Sequence, residues 1–157
     1  MQQIKLLVDT NIIVDYLNRR EPFFADARKL MIAGRVGELS LWVSASQMSD
    51  LVYILSDGGK PQLIASVLER LRILRLFVSV QPVDADAVDT MLKTTWSNPE
   101  DALLLNNALN MKADAIISRD TLFQAQAKDY ISVLNCSEFF EWLEDKYGVT
   151  YAEVDLL

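Results

Sequence analysis

Four aspartates, Asp9, Asp50, Asp101 and Asp120, stand where carboxylates can do chemistry. Asp9 ends the apolar run Ile4–Val8 and precedes Thr10-Asn11. It therefore falls at the carboxyl end of an expected strand, where a helix begins. Asp120 follows a second apolar run, Ala115–Ser118. Asp101 falls in the first turn of a helix opened by Asn98-Pro99, and Asp50 lies within a helix begun by Ser44-Ala45-Ser46-Gln47. Carboxylates gathered within about 4 Å repel one another by roughly 4 kcal/mol per pair at an effective dielectric of 20. A fold rarely keeps such a cluster without a cation or shared protons. A divalent ion relieves the repulsion, activates water and stabilises charge on a phosphoryl group. Each acid also has a plain structural role open to it. Asp9 and Asp120 suit helix caps or turns, Asp101 suits the N-terminal end of a helix dipole, and Asp50 suits a solvated helix face.

Composition narrows the chemistry further. The chain has no histidine and a single cysteine, Cys136. That excludes Ser–His–Asp triads, Cys–His pairs, histidine-ligated zinc and any internal disulfide. Oxygen ligands remain, and they suit Mg²⁺, Mn²⁺ or Ca²⁺. The net charge of −7 argues against broad adhesion to nucleic acid. It leaves room for a nuclease, because bound metal offsets a carboxylate-rich site.

The elements that must position these acids alternate between strand-like and helix-like. Strands are expected at Ile4–Val8, Leu39–Val43, Phe77–Val83, Ala115–Ser118 and Ile131–Leu134. Helices are expected at Ile12–Leu17, from Pro22 to Ala33 with Gly34 closing it, from Ser44 to Ser56, at Gln62–Leu76, from Asp84 to Lys93, from Asn98 to Met111, and at Ser137–Lys146. This order implies an α/β fold with a mostly parallel central sheet of about five strands, flanked by helices. Ligands in such sheets lie beyond the carboxyl ends of the strands. Asp114 sits at the entering end of its strand and is set aside on that ground. The chain of 157 residues suits one domain, taken as residues 1–146, with residues 147–157 as a tail packing on the domain or on a partner. No apolar run reaches the roughly 18 residues that span a bilayer. The opening Met1-Gln2-Gln3-Ile4-Lys5 lacks the layout of a signal peptide, so no membrane and a reducing, cytoplasmic setting are expected.

At these residues the sequence resembles the PIN-domain family, especially its bacterial branch of VapC-type toxins. Leu6-Leu7-Val8-Asp9-Thr10-Asn11 resembles the opening strand and first acidic ligand. Ser44–Leu51 resembles the second motif, with Asp50 where Glu is more frequent. Glu100-Asp101-Ala102-Leu103 resembles the third, and Ala113–Asp120 the strand leading to the fourth. The resemblance implies a ribonuclease dependent on Mg²⁺ or Mn²⁺, plausible as the toxin of a toxin–antitoxin pair. It makes Asp9, Asp101 and Asp120 the metal ligands, with Asp50 completing the catalytic set. Thr10, Asn11 and Ser118 would orient the carboxylates. It further implies an RNA substrate, an antitoxin partner and a homodimer. The alternative is a PIN fold that has lost catalysis and binds RNA or protein, a reading to which Asp50 and the acidic charge lend support.

Arg19 and Arg20 after the first helix, and Arg119 between Ser118 and Asp120, are candidates for holding RNA phosphates. Arg119 serves equally well to neutralise nearby acids. Trp96 is placed to stack on a base, although core packing suits it better.

Overall fold

A computed structural model describes residues 3–151. Five strands form one sheet: β1 (Ile4–Val8), β2 (Leu39–Ser44), β3 (Val78–Gln81), β4 (Ala115–Ile117) and β5 (Val133–Leu134), in the order β3-β2-β1-β4-β5. All four pairings are parallel. Among the described residues eight helices cover the sheet: α1 (Thr10–Leu17), α2 (Phe24–Arg35), α3 (Ala45–Leu55), α4 (Pro61–Leu74), α5 (Ala85–Leu92), α6 (Pro99–Asn110), α7 (Thr121–Ala127) and α8 (Cys136–Tyr147). The expected α/β architecture is therefore observed. A strand buried on both faces reads as an apolar run, and β1 does so beyond Lys5: Leu6, Leu7 and Val8 have no exposed surface.

One core lies between the sheet and α1–α4 and α8, with Ile12, Leu30, Met31, Leu51, Leu71 and Phe139 at its centre. A smaller one holds Leu7, Leu104, Ile116 and Phe123. Trp42 and Trp96 pack against this second core, and Trp96 meets Phe123 edge-on at 6.4 Å between ring centroids. Val149 and Tyr151, at the start of the expected tail, pack against the first core. The tail from residue 152 onward lies outside the described residues.

Several boundaries differ from expectation. The second helix starts at Phe24 rather than Pro22 and continues through Gly34 to Arg35. Gly34 is there for contact, not termination, since a Cβ would stand 2.4 Å from Leu41 Cδ1. The fourth helix ends at Leu74, two residues early, because Arg75 takes the cap and the chain turns into β3. The short helix α7 was not foreseen. Asp120 caps it by accepting from Leu122 N and Phe123 N, and only Phe123 and Ala127 are buried on it.

Strand order reverses at β1, which pairs with β2 on one side and β4 on the other. Such a switch point opens a crevice at the carboxyl ends of the strands. Register Val8↔Ile117 places the following residues, Asp9 and Ser118, side by side at that edge.

Candidate active site

The site begins with the end of β1. Asp9 leaves the strand and donates its backbone N–H to Ile117 O at 2.8 Å. Its side chain caps α1 through Oδ1, which accepts from Thr10 N at 2.7 Å. Its other oxygen, Oδ2, accepts from Ser118 Oγ at 2.6 Å and from Asn11 Nδ2 at 3.4 Å. The capping role and a place in the site are thus filled by one residue. Ser118 is fully buried, and its Oγ also accepts from Asp120 N at 3.1 Å.

The adjoining strand contributes through α3. Ser44 and Gln47 form a capping box, as the sequence pattern anticipates. Gln47, fully buried, donates from Nε2 to Val8 O at 2.9 Å and to Thr10 Oγ1 at 3.2 Å. This ties the first turn of α3 to the end of β1 and fixes the approach of Asp50 one turn further along. Asn107 of α6 donates to Ser44 Oγ at 2.7 Å, so α6 is tied to the same edge. Asn98 caps α6 by accepting from Glu100 N at 3.1 Å, and Pro99 takes its first position. The first turn of α6 then presents Glu100 and Asp101.

These elements surround one open pocket of about 400 Å³. Asp9, Asp50, Asp101 and Asp120 all line it, together with Thr10 and Asn11. Glu100 lines it as well, a fifth carboxylate that the sequence reading passed over beside Asp101. Tyr53 and Ile54, both exposed, lie along it on the α3 side. Asp114, set aside from its position at the strand's entering end, instead accepts from Lys5 N at 2.8 Å.

Proximity is costly to these acids as anions. Burial raises the pKa of Asp9, and the Asp120 charge adds to it; the Ser118 and Thr10 hydrogen bonds work in the opposite direction. Asp101 is only 4% exposed, and its Oδ2 has no hydrogen-bond partner among the described residues. Burial, with the charges of Asp9 and Asp120, pushes Asp101 up to about 7. Glu100 also rises to about 7, through burial, a hydrogen bond to Asp50 and the charges of Asp50, Asp9 and Asp101.

The five acids are gathered but not drawn into a cage. Among the described residues, no three acid or thiol side chains are arranged to hold an ion. The donor chemistry nevertheless fits a hard divalent cation. All donors are oxygens, the acids repel one another, and Asp101 Oδ2 is a buried acceptor with no donor to it among the described residues.

The three candidate arginines do not line this pocket. Arg119 Nε and Nη2 donate to the two oxygens of Asp15 at 2.7 and 3.0 Å, and its guanidinium lies over the Phe23 ring at 3.7 Å. Arg20 approaches Asp15 at 3.6 Å, and Arg19 lies over Phe24 at 5.5 Å. Asp15 itself is fully buried and was not singled out from sequence.

A family model described as PIN domain matches residues 5–122, a span that takes in every acid of the pocket. The chain belongs to the PIN-domain family. PIN domains are generally nucleases that need divalent metal ions. Two solved structures share the PIN fold. One is VapBC2 from Rickettsia felis bound to a DNA fragment from its promoter, at 15% identity and TM-score 0.59, covering 84% of this chain and 98% of that one. The other is a domain of a functionally unknown protein from Methanocaldococcus jannaschii DSM 2661, at 15% identity and TM-score 0.51, covering 98% of each chain. A search of curated proteins gave no match. Among the described residues of this PIN domain, no helix is long and apolar enough to cross a membrane.

Proposed function

We propose that the protein is a ribonuclease dependent on Mg²⁺ or Mn²⁺ and acts as the toxin of a toxin–antitoxin pair. The observation that carries this reading is the convergence of five carboxylates on one pocket at the switch point of a parallel sheet, with the buried Asp101 Oδ2 unpartnered among the described residues.

Asp9, Asp101 and Asp120 would hold the ion, and Asp50 would complete the set. Glu100 adds a longer side chain beside Asp50. When bound, the ion supplies charge for a phosphoryl group in transit and activation for water. The chain's own part is orientation. Ser118 and Asn11 fix the rotation of the Asp9 carboxylate, and Thr10 is held by Gln47. Substituting such supporting partners typically costs 10–100-fold in metal affinity or activity. Arg19 and Arg20, exposed at the end of α1, are proposed contacts for RNA phosphates.

The likeness to VapBC2 supports an antitoxin partner. Tyr53 and Ile54 offer apolar contact beside the acids for a segment that would cover the pocket. Contact with a second copy of the chain is proposed from membership of the family alone. A cytoplasmic setting suits a chain whose single cysteine, Cys136, allows no internal disulfide.

A catalytically silent binding module is the second reading, favoured by Asp50, whose side chain is one methylene shorter than Glu. Incubating the protein with end-labelled RNA and matched DNA, with Mg²⁺, Mn²⁺ or a chelator, separates the two. The nuclease reading expects RNA fragments only with metal, and none from Asp9→Asn. RNA retention without cleavage under every condition would favour the binding module.

A further inference from the structure

We infer that Asp15, outside the acid pocket, is a positioning residue for it, acting through Arg119. This rests on the metal-site reading above. Asp15 is a fully buried charge on α1. Burying a carboxylate is unfavourable unless it is paired and hydrogen-bonded. Arg119 meets that need with a two-point fork at 2.7 and 3.0 Å. Bidentate geometry of this kind fixes direction as well as distance. The guanidinium also lies over the Phe23 ring at 3.7 Å.

What this clamp holds is the turn between β4 and α7. Arg119 stands between Ser118 and Asp120, both of which serve the pocket. Ser118 Oγ donates to Asp9 Oδ2, Asp120 N donates to Ser118 Oγ, and Asp120 lines the pocket. The backbone N–H of Arg119 donates to Asn11 Oδ1 at 3.4 Å. Asn11 and Asp15 lie four apart on α1, hence on one face, and both reach Arg119. One helix face therefore grips the main chain and the side chain of the same residue. A change of a few tenths of an ångström in that turn is passed to Asp9 and Asp120 together.

Removing one partner of a buried pair leaves an uncompensated charge and destabilises the fold, so Asp15→Asn alone is ambiguous. Replacing both by apolar side chains of similar size is often neutral or stabilising. The test therefore compares wild type with Asp15→Asn and with the double variant Asp15→Leu/Arg119→Met. Thermal unfolding, Mn²⁺ affinity by calorimetry and the amide resonances of residues 118–120 are measured on each. A positioning role predicts a folded double variant with about tenfold weaker Mn²⁺ binding and shifted amides in that turn. A merely structural role would move unfolding and leave Mn²⁺ affinity unchanged. Affinity within twofold of wild type in a folded double variant would overturn the inference. Asp9→Asn is run alongside. If wild type binds no Mn²⁺, or Asp9→Asn binds it equally, the metal-site reading fails and the positioning role falls with it.

Discussion

Ser118 Oγ donates a 2.6 Å hydrogen bond to Asp9 Oδ2 across 109 residues of sequence. The contact exists because β1 and β4 are register partners up to Val8↔Ile117, so the next residue of each strand emerges at the same edge. It also holds down the pKa of Asp9 against burial, which works to raise it.

Ser118→Ala should therefore leave Asp9 harder to ionise. Mn²⁺ affinity should fall about 10-fold or more, and the loss should deepen as pH is lowered. Calorimetric titrations across pH check this. Equal affinity at pH 6.5 would show that the hydroxyl does not support the ligand.

Asp101 and Glu100 give the metal-free protein a defined pH dependence. Both have folded pKa values raised to about 7, from 3.8 and 4.5. The sign follows from linkage: neutral carboxyls are favoured by the fold, so their contribution is complete below about pH 4 and is lost as pH rises through about 7. Asp101→Asn removes its share of the loss. With chelator present at pH 8, the variant should unfold a few degrees above wild type, after allowing for solvent screening. That corresponds to about 1–2 kcal/mol at roughly 2–4 °C per kcal/mol. The difference should vanish toward pH 4. Thermal scans from pH 4 to 8 measure it.

Glu100→Gln should reduce proton release on metal binding. A group with its pKa at about 7 is part-protonated at neutral pH, and an approaching cation expels that proton. Calorimetry at pH 7 in buffers of different ionisation enthalpy counts the protons. An unchanged count would place Glu100 outside the metal's influence.

Much of the site was legible because its signals are local. An apolar run ending in Asp-Thr-Asn announced β1 and its cap, and Asn98-Pro99 announced α6 with Asp101 in its first turn. Ser44-Ala45-Ser46-Gln47 announced α3, although that Gln47 would also tie α3 to β1 through Val8 O was not visible locally. Asp15 was missed for a physical reason. A charged residue on an amphipathic helix reads as solvated, and its partner Arg119 lies 104 residues away. Helix α7 was missed because Thr121–Ala127 is too short to display a helical period. Glu100 was eclipsed by its neighbour, since only the folded α3–α6 approach brings it to Asp50.

Gly34 offers a test of the scaffold apart from the site. Gly34→Ala gains about 1 kcal/mol of helix propensity. It also sets a methyl 2.4 Å from Leu41 Cδ1, in a core where Leu41 is buried. Overpacking costs about 1–3 kcal/mol, so crowding should win. A lower melting temperature with unchanged Mn²⁺ affinity is expected from thermal unfolding and calorimetry. A stabilised variant would mean that Leu41 finds another rotamer without loss.

Anomalous diffraction from crystals soaked in Mn²⁺ tests the central claim most directly. The expected result is a peak in the pocket between Asp9 and Asp101, at about 2.2 Å from carboxylate oxygens, with Asp101 Oδ2 among them. Ordered density for all five acids with no peak among them, at saturating Mn²⁺, would contradict the account.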